Sequence, residues 1–204
     1  MKVVIIGSTG LIGKAVSALL TDKGHDTVQV SRTTQPSVDL DDLPSINSFY
    51  KALGEVDAII CVAGRRAGGI GSLAELSDEA IESVIRGKLV GQVNLVRHGL
   101  SNVRRDGVFI LTGGMSAYAP LPKMSASAMV NTGLEGFVRH AALDLQNGRR
   151  IVIVHPPPVR EAVIQNGMDG ARFPNAATVA EAYLIALESK ITGQPIFLEG
   201  HRPA

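Results

Sequence analysis

The chain has 204 residues, 45% of them apolar, with 20 basic against 19 acidic side chains and a net charge of +1. That length suits one α/β domain. The charge balance argues against nucleic acid as the main partner, because a phosphate backbone is bound by a basic face.

Aromatic residues make up 4% and Trp is absent, so the core must be aliphatic, which suits buried parallel strands. The pairs Arg65-Arg66, Arg104-Arg105 and Arg149-Arg150 fall in expected loops and read as solvated surface. Cys61 is the single cysteine, which rules out an intrachain disulfide. The histidines at 25, 98, 140, 155 and 201 have no i, i+4 pairing, which argues against a metal site. The first apolar run, Val3–Ile6, breaks at Gly7 and is too short for a signal-peptide core or a membrane span. A cytoplasmic protein with no membrane partner is expected.

In chain order, Val3–Ile6 reads as a buried strand, and Ile12, Val16 and Leu20 share one face of a helix stopped by Lys23-Gly24. Thr27–Val30 is a second strand, a weaker one lies near Val38, and Asp57–Val62 follows. Ser77-Asp78-Glu79 opens a long helix carrying Ile81, Val84, Ile85, Leu89 and Val93. Val108–Thr112 is a strand, Ser125–Leu145 a helix and Ile151–His155 a strand. The stretch from His155 to Thr178, with Pro156-Pro157-Pro158, Gly167, Gly170 and Pro174, reads as an irregular, lid-like segment. A helix at Val179–Leu187 and a strand at Ile196–Leu198 close the chain. Such alternation predicts a single three-layer Rossmann domain, a doubly wound parallel sheet of about seven strands.

The first strand runs directly into Gly7-Ser8-Thr9-Gly10-Leu11-Ile12-Gly13 and then into the helix. Glycine at this spacing permits a tight turn, lets the backbone approach a pyrophosphate, and packs the helix close to the strand. The helix N-terminus adds N–H groups and partial positive charge. A nicotinamide dinucleotide is therefore the expected cofactor. An NAD site places Asp or Glu after the second strand to hold the ribose 2′-hydroxyl. Here that place holds Ser31-Arg32-Thr33, a guanidinium between two hydroxyls that suits a 2′-phosphate. NADP(H) is preferred to NAD(H), which the same turn would admit.

On these residues the sequence resembles the short-chain dehydrogenase/reductase family over nearly its whole length, with a turn spaced as in the family's extended and atypical branches. The resemblance implies that Asp39 and Leu40 of Val38-Asp39-Leu40 lie by the adenine. It places Ala63 and Gly64 of Cys61-Val62-Ala63-Gly64 beside the adenine ribose. It also sets Thr112 and Gly113 at a strand end of the site, and Pro157 and Val159 by the nicotinamide amide. Thr192-Gly193-Gln194-Pro195-Ile196 resembles the family's final strand. The family commonly pairs through its fourth and fifth crossover helices, so a homodimer or homotetramer is expected. The small residues Ala126, Ala128, Gly133, Gly136, Ala141 and Ala142 agree with that.

The catalytic positions depart from the family's Asn, Ser, Tyr and Lys. Met124 stands at the tyrosine, Ala128 at the lysine, glycine of Gly113-Gly114 at the serine, and Lys88 at the asparagine. Methionine neither donates nor accepts the proton that accompanies hydride transfer. Two readings stay open. One is an oxidoreductase acting on a small carbonyl or alcohol, in which Lys88, its pKa lowered by burial, serves the reacting oxygen with Ser116, Tyr118 and Lys123 nearby. The other is a catalytically inactive NADP(H)-binding sensor or regulatory module. The segment Gly114-Met115-Ser116-Ala117-Tyr118 lacks the last glycine of a hydrolase elbow.

Overall fold

The computed structural model describes residues 1–64 and 69–203, so the Arg65-Arg66 pair and Gly68 lie outside the described residues. Among the described residues, six parallel strands form one sheet in the order β2-β1-β3-β4-β5-β6. They are β1 (Lys2–Ile6), β2 (Asp26–Val30), β3 (Val56–Cys61), β4 (Val103–Thr112), β5 (Arg150–Val154) and β6 (Pro195–Ile196). The weaker strand expected near Val38 is reduced to an isolated parallel bridge between Ser31 and Ser37 at the sheet's outer edge.

Alternate residues of each strand feed opposite layers, as the period of two requires. Val3, Ile5, Ala58, Ile60, Val108, Ile110, Val152 and Val154 pack with α1 (Leu11–Asp22) and α7 (Ala176–Glu188). Val4, Ile6, Ile59, Cys61, Phe109, Leu111, Ile151 and Ile153 pack on the other face, with α2 (Leu43–Leu53), α4 (Gly91–Gly99) and α5 (Ser125–Asp144). Burying each such Val, Leu or Ile contributes about 1.5–3 kcal/mol. These two aliphatic layers hold the strand ends rigidly in place.

Helix α2 is not announced by sequence periodicity. Its stripe is short, Ile46, Phe49 and Tyr50, and its start is fixed locally by Asp42, whose carboxylate accepts from Ser45 N–H at 3.2 Å. The long helix expected from Ser77 is present but interrupted. Helix α3 (Asp78–Val84), capped by Ser77, continues into a π-helical turn at Ile85–Val90 and then into α4. The segment expected as an irregular lid instead contains α6 (Arg160–Gln165), which buries Val163. The Arg160 N–H donates to Pro174 and its guanidinium to Phe173, closing that loop on itself. No described helix is long and apolar enough to cross a membrane.

Candidate functional site

The chain passes from β1 outward to β2 and then back across β1 to β3, so the connections leave to opposite sides at the ends of β1 and β3. In an open α/β sheet such a switch point leaves a crevice at the carboxyl ends of the strands. A cleft of about 350 Å³ lies there. The Gly-rich turn forms one wall with Gly7, Thr9 and Gly10, while Ala63 and Gly64 after β3 form another. Ser31, Arg32, Thr33, Asp39 and Leu40 close the outer end.

The turn needs glycine at two places. Gly7 has φ +91°, and a Cβ there would lie 2.7 Å from the Ala63 nitrogen. A Cβ on Gly13 would collide with the Gly7 carbonyl, so its absence lets α1 sit against the turn. At the outer end, Thr33 N–H donates to the Ser31 hydroxyl at 3.1 Å and Ser31 N–H to the Thr34 hydroxyl at 2.6 Å. These bonds shape the short loop that carries the exposed Arg32 into the cleft lining. The Asp39 carboxylate accepts from Asp41 N–H at 3.1 Å, a local turn bond. A crevice with a glycine-rich turn at one end and a guanidinium at the other fits a phosphorylated dinucleotide.

The remaining members of the expected cofactor set lie outside this cleft lining. Ser8 is buried, its hydroxyl donating to Val30 O at 3.2 Å, and Leu11 and Ile12 lie in the first turn of α1. Thr112 is buried too: its hydroxyl donates to Cys61 O at 2.6 Å and pairs with the Tyr183 hydroxyl at 2.9 Å. Pro157 and Val159 are buried beyond the end of β5.

Lys88 sits on the π-helical turn, a feature that often marks functional sites. Its aliphatic stem packs on Gly64, where a Cβ would lie 3.2 Å from Cγ and Cδ. Its ammonium donates to the Gly113 carbonyl at 2.8 Å. A positive charge is thus fixed between the ends of β3 and β4, next to the cleft wall. Nearby, Gln92 is fully buried and clamps the last residue of β4. Its amide donates to Thr112 O and accepts from Thr112 N–H, both at 3.0 Å. Burial pushes the Cys61 thiol up to about 12, so it stays protonated as part of the core.

The other polar candidates form a second group behind this turn. Ser116, in a 3₁₀ turn at Met115–Ala117, has its hydroxyl bonded by the Asn131 amide at 2.8 Å. A Cβ on Gly114 would lie 2.9 Å from the same amide nitrogen. The Tyr118 hydroxyl donates to Glu135 Oε2, and its ring meets His155 and Phe197 edge-on at 5.3 Å. Glu135 also pairs with Arg139 at 2.8 Å and lies 3.3 Å from His155 Nε2, out of line for a hydrogen bond. Burial, then the bond to the Glu135 carboxylate, raises the Tyr118 pKa, which makes it a poor proton shuttle. Lys123, with φ +67°, contributes its carbonyl to Gly71 N–H. Sequence spacing therefore picks Ser116 and Tyr118 but misses Gln92, Asn131, Glu135 and His155. Asn131 and Glu135 are one helical turn apart among Val130, Leu134 and Val138, and polar groups interrupting a buried stripe are the available signal.

A family model described as enoyl-(acyl carrier protein) reductase matches residues 12–194. The chain belongs to the short-chain dehydrogenase/reductase family. Carbonyl reductase family member 4 of Danio rerio is 28% identical over 235 aligned positions, covering 98% of this chain and 96% of that protein. The protein lin1944 of Listeria innocua shares the fold with a TM-score of 0.90 and 31% identity, over 97% of this chain and 99% of that one. A small-chain dehydrogenase solved in complex with NADPH superposes with a TM-score of 0.85 at 23% identity, over 98% and 97% of the two chains.

Against this short-chain dehydrogenase/reductase frame, Met124 is the residue that precedes α5 as its cap. The polar side chain of α5 that reaches the end of β4 is Asn131, one turn beyond the expected Ala128. Lys88 and Asn131 flank the Gly113–Gly114 turn, one on the Gly113 carbonyl and one against Gly114.

Proposed function

We propose that this chain binds NADP(H) in the switch-point crevice and moves a hydride between nicotinamide and the carbonyl or alcohol carbon of a small substrate. The observation that carries the reading is the single cleft joining the Gly7–Gly10 turn to Ser31-Arg32-Thr33, with Lys88 beside its Gly64 wall.

The backbone from Gly7 to Gly13 is suited to cradle the diphosphate, with the N-terminal amides of α1 at Leu11, Ile12 and Gly13 adding their dipoles. Arg32, with Ser31 and Thr33, holds the 2′-phosphate, and Asp39 and Leu40 flank the adenine. By family resemblance Ala63 and Gly64 lie beside the adenine ribose, Thr112 and Gly113 at the strand end of the site, and Pro157 and Val159 by the nicotinamide amide. When bound, the coenzyme supplies or accepts the hydride. Lys88 does what an ammonium does beside a carbonyl oxygen: it donates a hydrogen bond and stabilises negative charge as it develops. Its bond to Gly113 aims it, and its stem on Gly64 limits its travel. Tyr118, held by Glu135, is a scaffold side chain in this account.

A second reading, a nucleotide-binding sensor without turnover, is favoured by Met124, which the family resemblance sets at the place of the tyrosine. Titration with NADPH and NADH, followed by NADPH consumption across a panel of aldehydes and ketones, separates the two. Saturable NADPH binding with turnover supports the enzyme, binding without turnover supports the sensor, and no binding rejects both.

We further propose cytoplasmic residence and self-association into a homodimer or homotetramer through α4 and α5. The open space over Gly136 and the exposed Leu143 on α5 support close helix packing there. Light scattering on the purified chain tests it, and a monomer at all concentrations would count against it.

A further inference from the structure

His155 lies just past β5 with no solvent exposure, clear of the cleft lining. It is nonetheless joined to the site. Gly114 N–H donates to its Nδ1 at 3.1 Å, and the Gly114 carbonyl is 3.0 Å from the same nitrogen. One nitrogen cannot serve both at once: a bare Nδ1 accepts the N–H, and a protonated Nδ1 donates to the carbonyl. In the neutral ring the first arrangement places the proton on Nε2, 3.3 Å from Glu135 Oε2, where the carboxylate's charge attracts it although the pair is out of line for a hydrogen bond.

The residue before Gly114 is Gly113, whose carbonyl anchors the Lys88 ammonium. The imidazole also fills the space a Gly113 side chain would need, since a Cβ there would lie 2.5 Å from its Cε1. His155 therefore touches both residues of the turn on which Lys88 rests. Its other neighbours fix it from three directions. Phe197 stacks on the ring at 5.8 Å, Tyr118 meets it edge-on, and Glu135 is itself held by Tyr118 and Arg139.

We propose that His155 is a positioning residue for Lys88. Neutral, it holds the Gly114 N–H and so fixes the Gly113 carbonyl. Protonated, it turns its bond to the Gly114 carbonyl, releases the N–H and moves the anchor of the ammonium. This rests on the reading of Lys88 as the group that serves the reacting oxygen.

The charged and titratable groups around the ring are few. Glu135 favours the imidazolium, Lys88 disfavours it, and Arg139 and Tyr118 act on Glu135. Arg202 acts on Tyr118 from the C-terminal end. Burial weighs most, and the ring's pKa lies below its ordinary 6.5. The turn is thus set for the neutral ring at neutral pH and reverses on acidification.

The test is an NMR titration of the isotopically labelled protein without coenzyme. It follows the His155 ring, the Gly114 amide and the Lys88 Cε resonance from about pH 8 to 5. All three are expected to move with one shared midpoint below 6.5. Glu135→Gln removes the charge that favours the imidazolium and should lower that midpoint. His155→Phe keeps a ring between Tyr118 and Phe197 and should leave Gly114 and Lys88 flat over this range. A Gly114 amide or Lys88 resonance that ignores the titration of His155 overturns the proposal, as does an unmoved midpoint in Glu135→Gln. Because coenzyme is absent, failure to bind NADPH would leave this result readable. With coenzyme and a turned-over carbonyl, His155→Phe should lower kcat about tenfold to a hundredfold. Its NADPH Kd should change less than about twofold, well under the 1.4 kcal/mol of a tenfold change.

Discussion

The Lys88 ammonium is bonded to the Gly113 carbonyl at 2.8 Å, linking the π-helical turn before α4 to the chain just past β4. Three structural facts converge on that bond. The wide turn presents the side chain, Gly64 leaves room for its stem, and β4 ends where its charge arrives.

Replacing Lys88 with Met keeps most of the stem and removes the charge. With a turned-over carbonyl, kcat should fall by about a hundredfold, the order seen when a charge-stabilising donor is lost. NADPH affinity should stay within about threefold, because the stem packing survives. Steady-state kinetics with nicotinamide fluorescence measures both.

The Gly-rich turn is expected to tolerate almost nothing. Gly13→Ala sets a Cβ against the Gly7 carbonyl and should cost about 1–3 kcal/mol of stability as an overpacked contact. It should also weaken NADPH binding, since relief requires the turn to move. Urea unfolding gives the first quantity and a coenzyme titration of the folded variant the second.

The end of β4 depends on a buried hydroxyl pair. Thr112→Val keeps the shape but leaves Cys61 O and the Tyr183 hydroxyl without their shared partner. A loss of about 1–3 kcal/mol is expected. Adding Tyr183→Phe should cost less than the sum of the two single changes, because both remove the same bond. Denaturant midpoints of the four proteins complete the cycle.

Acid should destabilise the fold through His155. Its folded pKa lies below the unfolded 6.5, chiefly because it is buried. The unfolded chain therefore binds more protons as pH falls from 6.5, and the stability present above that value is progressively lost. The melting temperature should drop below pH 6.5 in the native protein and drop less steeply in His155→Phe.

Where one residue type serves one local need, the sequence was readable. Val and Ile runs marked the strands, and Gly7, Gly10 and Gly13 marked the turn, where at Gly7 and Gly13 a Cβ would collide with Ala63 and with the Gly7 carbonyl. Ser31, Arg32 and Thr33 follow β2, Ala63 and Gly64 follow β3, and the switch-point topology gathers them with Asp39 and Leu40 at one cleft. What stayed hidden depends on contacts between distant segments. Gln92 reads as an ordinary helix residue until β4 arrives to be clamped by it. Tyr118 resembles a proton donor until Glu135 takes its hydroxyl. The π-helical turn has no spacing signature in Ile85–Val90, and the strand expected near Val38 is a single bridge between Ser31 and Ser37.

Calorimetric titration of NADPH and NADH into wild type and Arg32→Ala tests the central claim most directly. Saturable binding is expected, with NADPH the tighter ligand. In Arg32→Ala, NADPH should weaken about tenfold to a hundredfold, the ~1.5–3 kcal/mol of a charged hydrogen bond, while NADH barely changes. Absence of heat with either coenzyme, or equal NADPH affinity in both folded proteins, would contradict it.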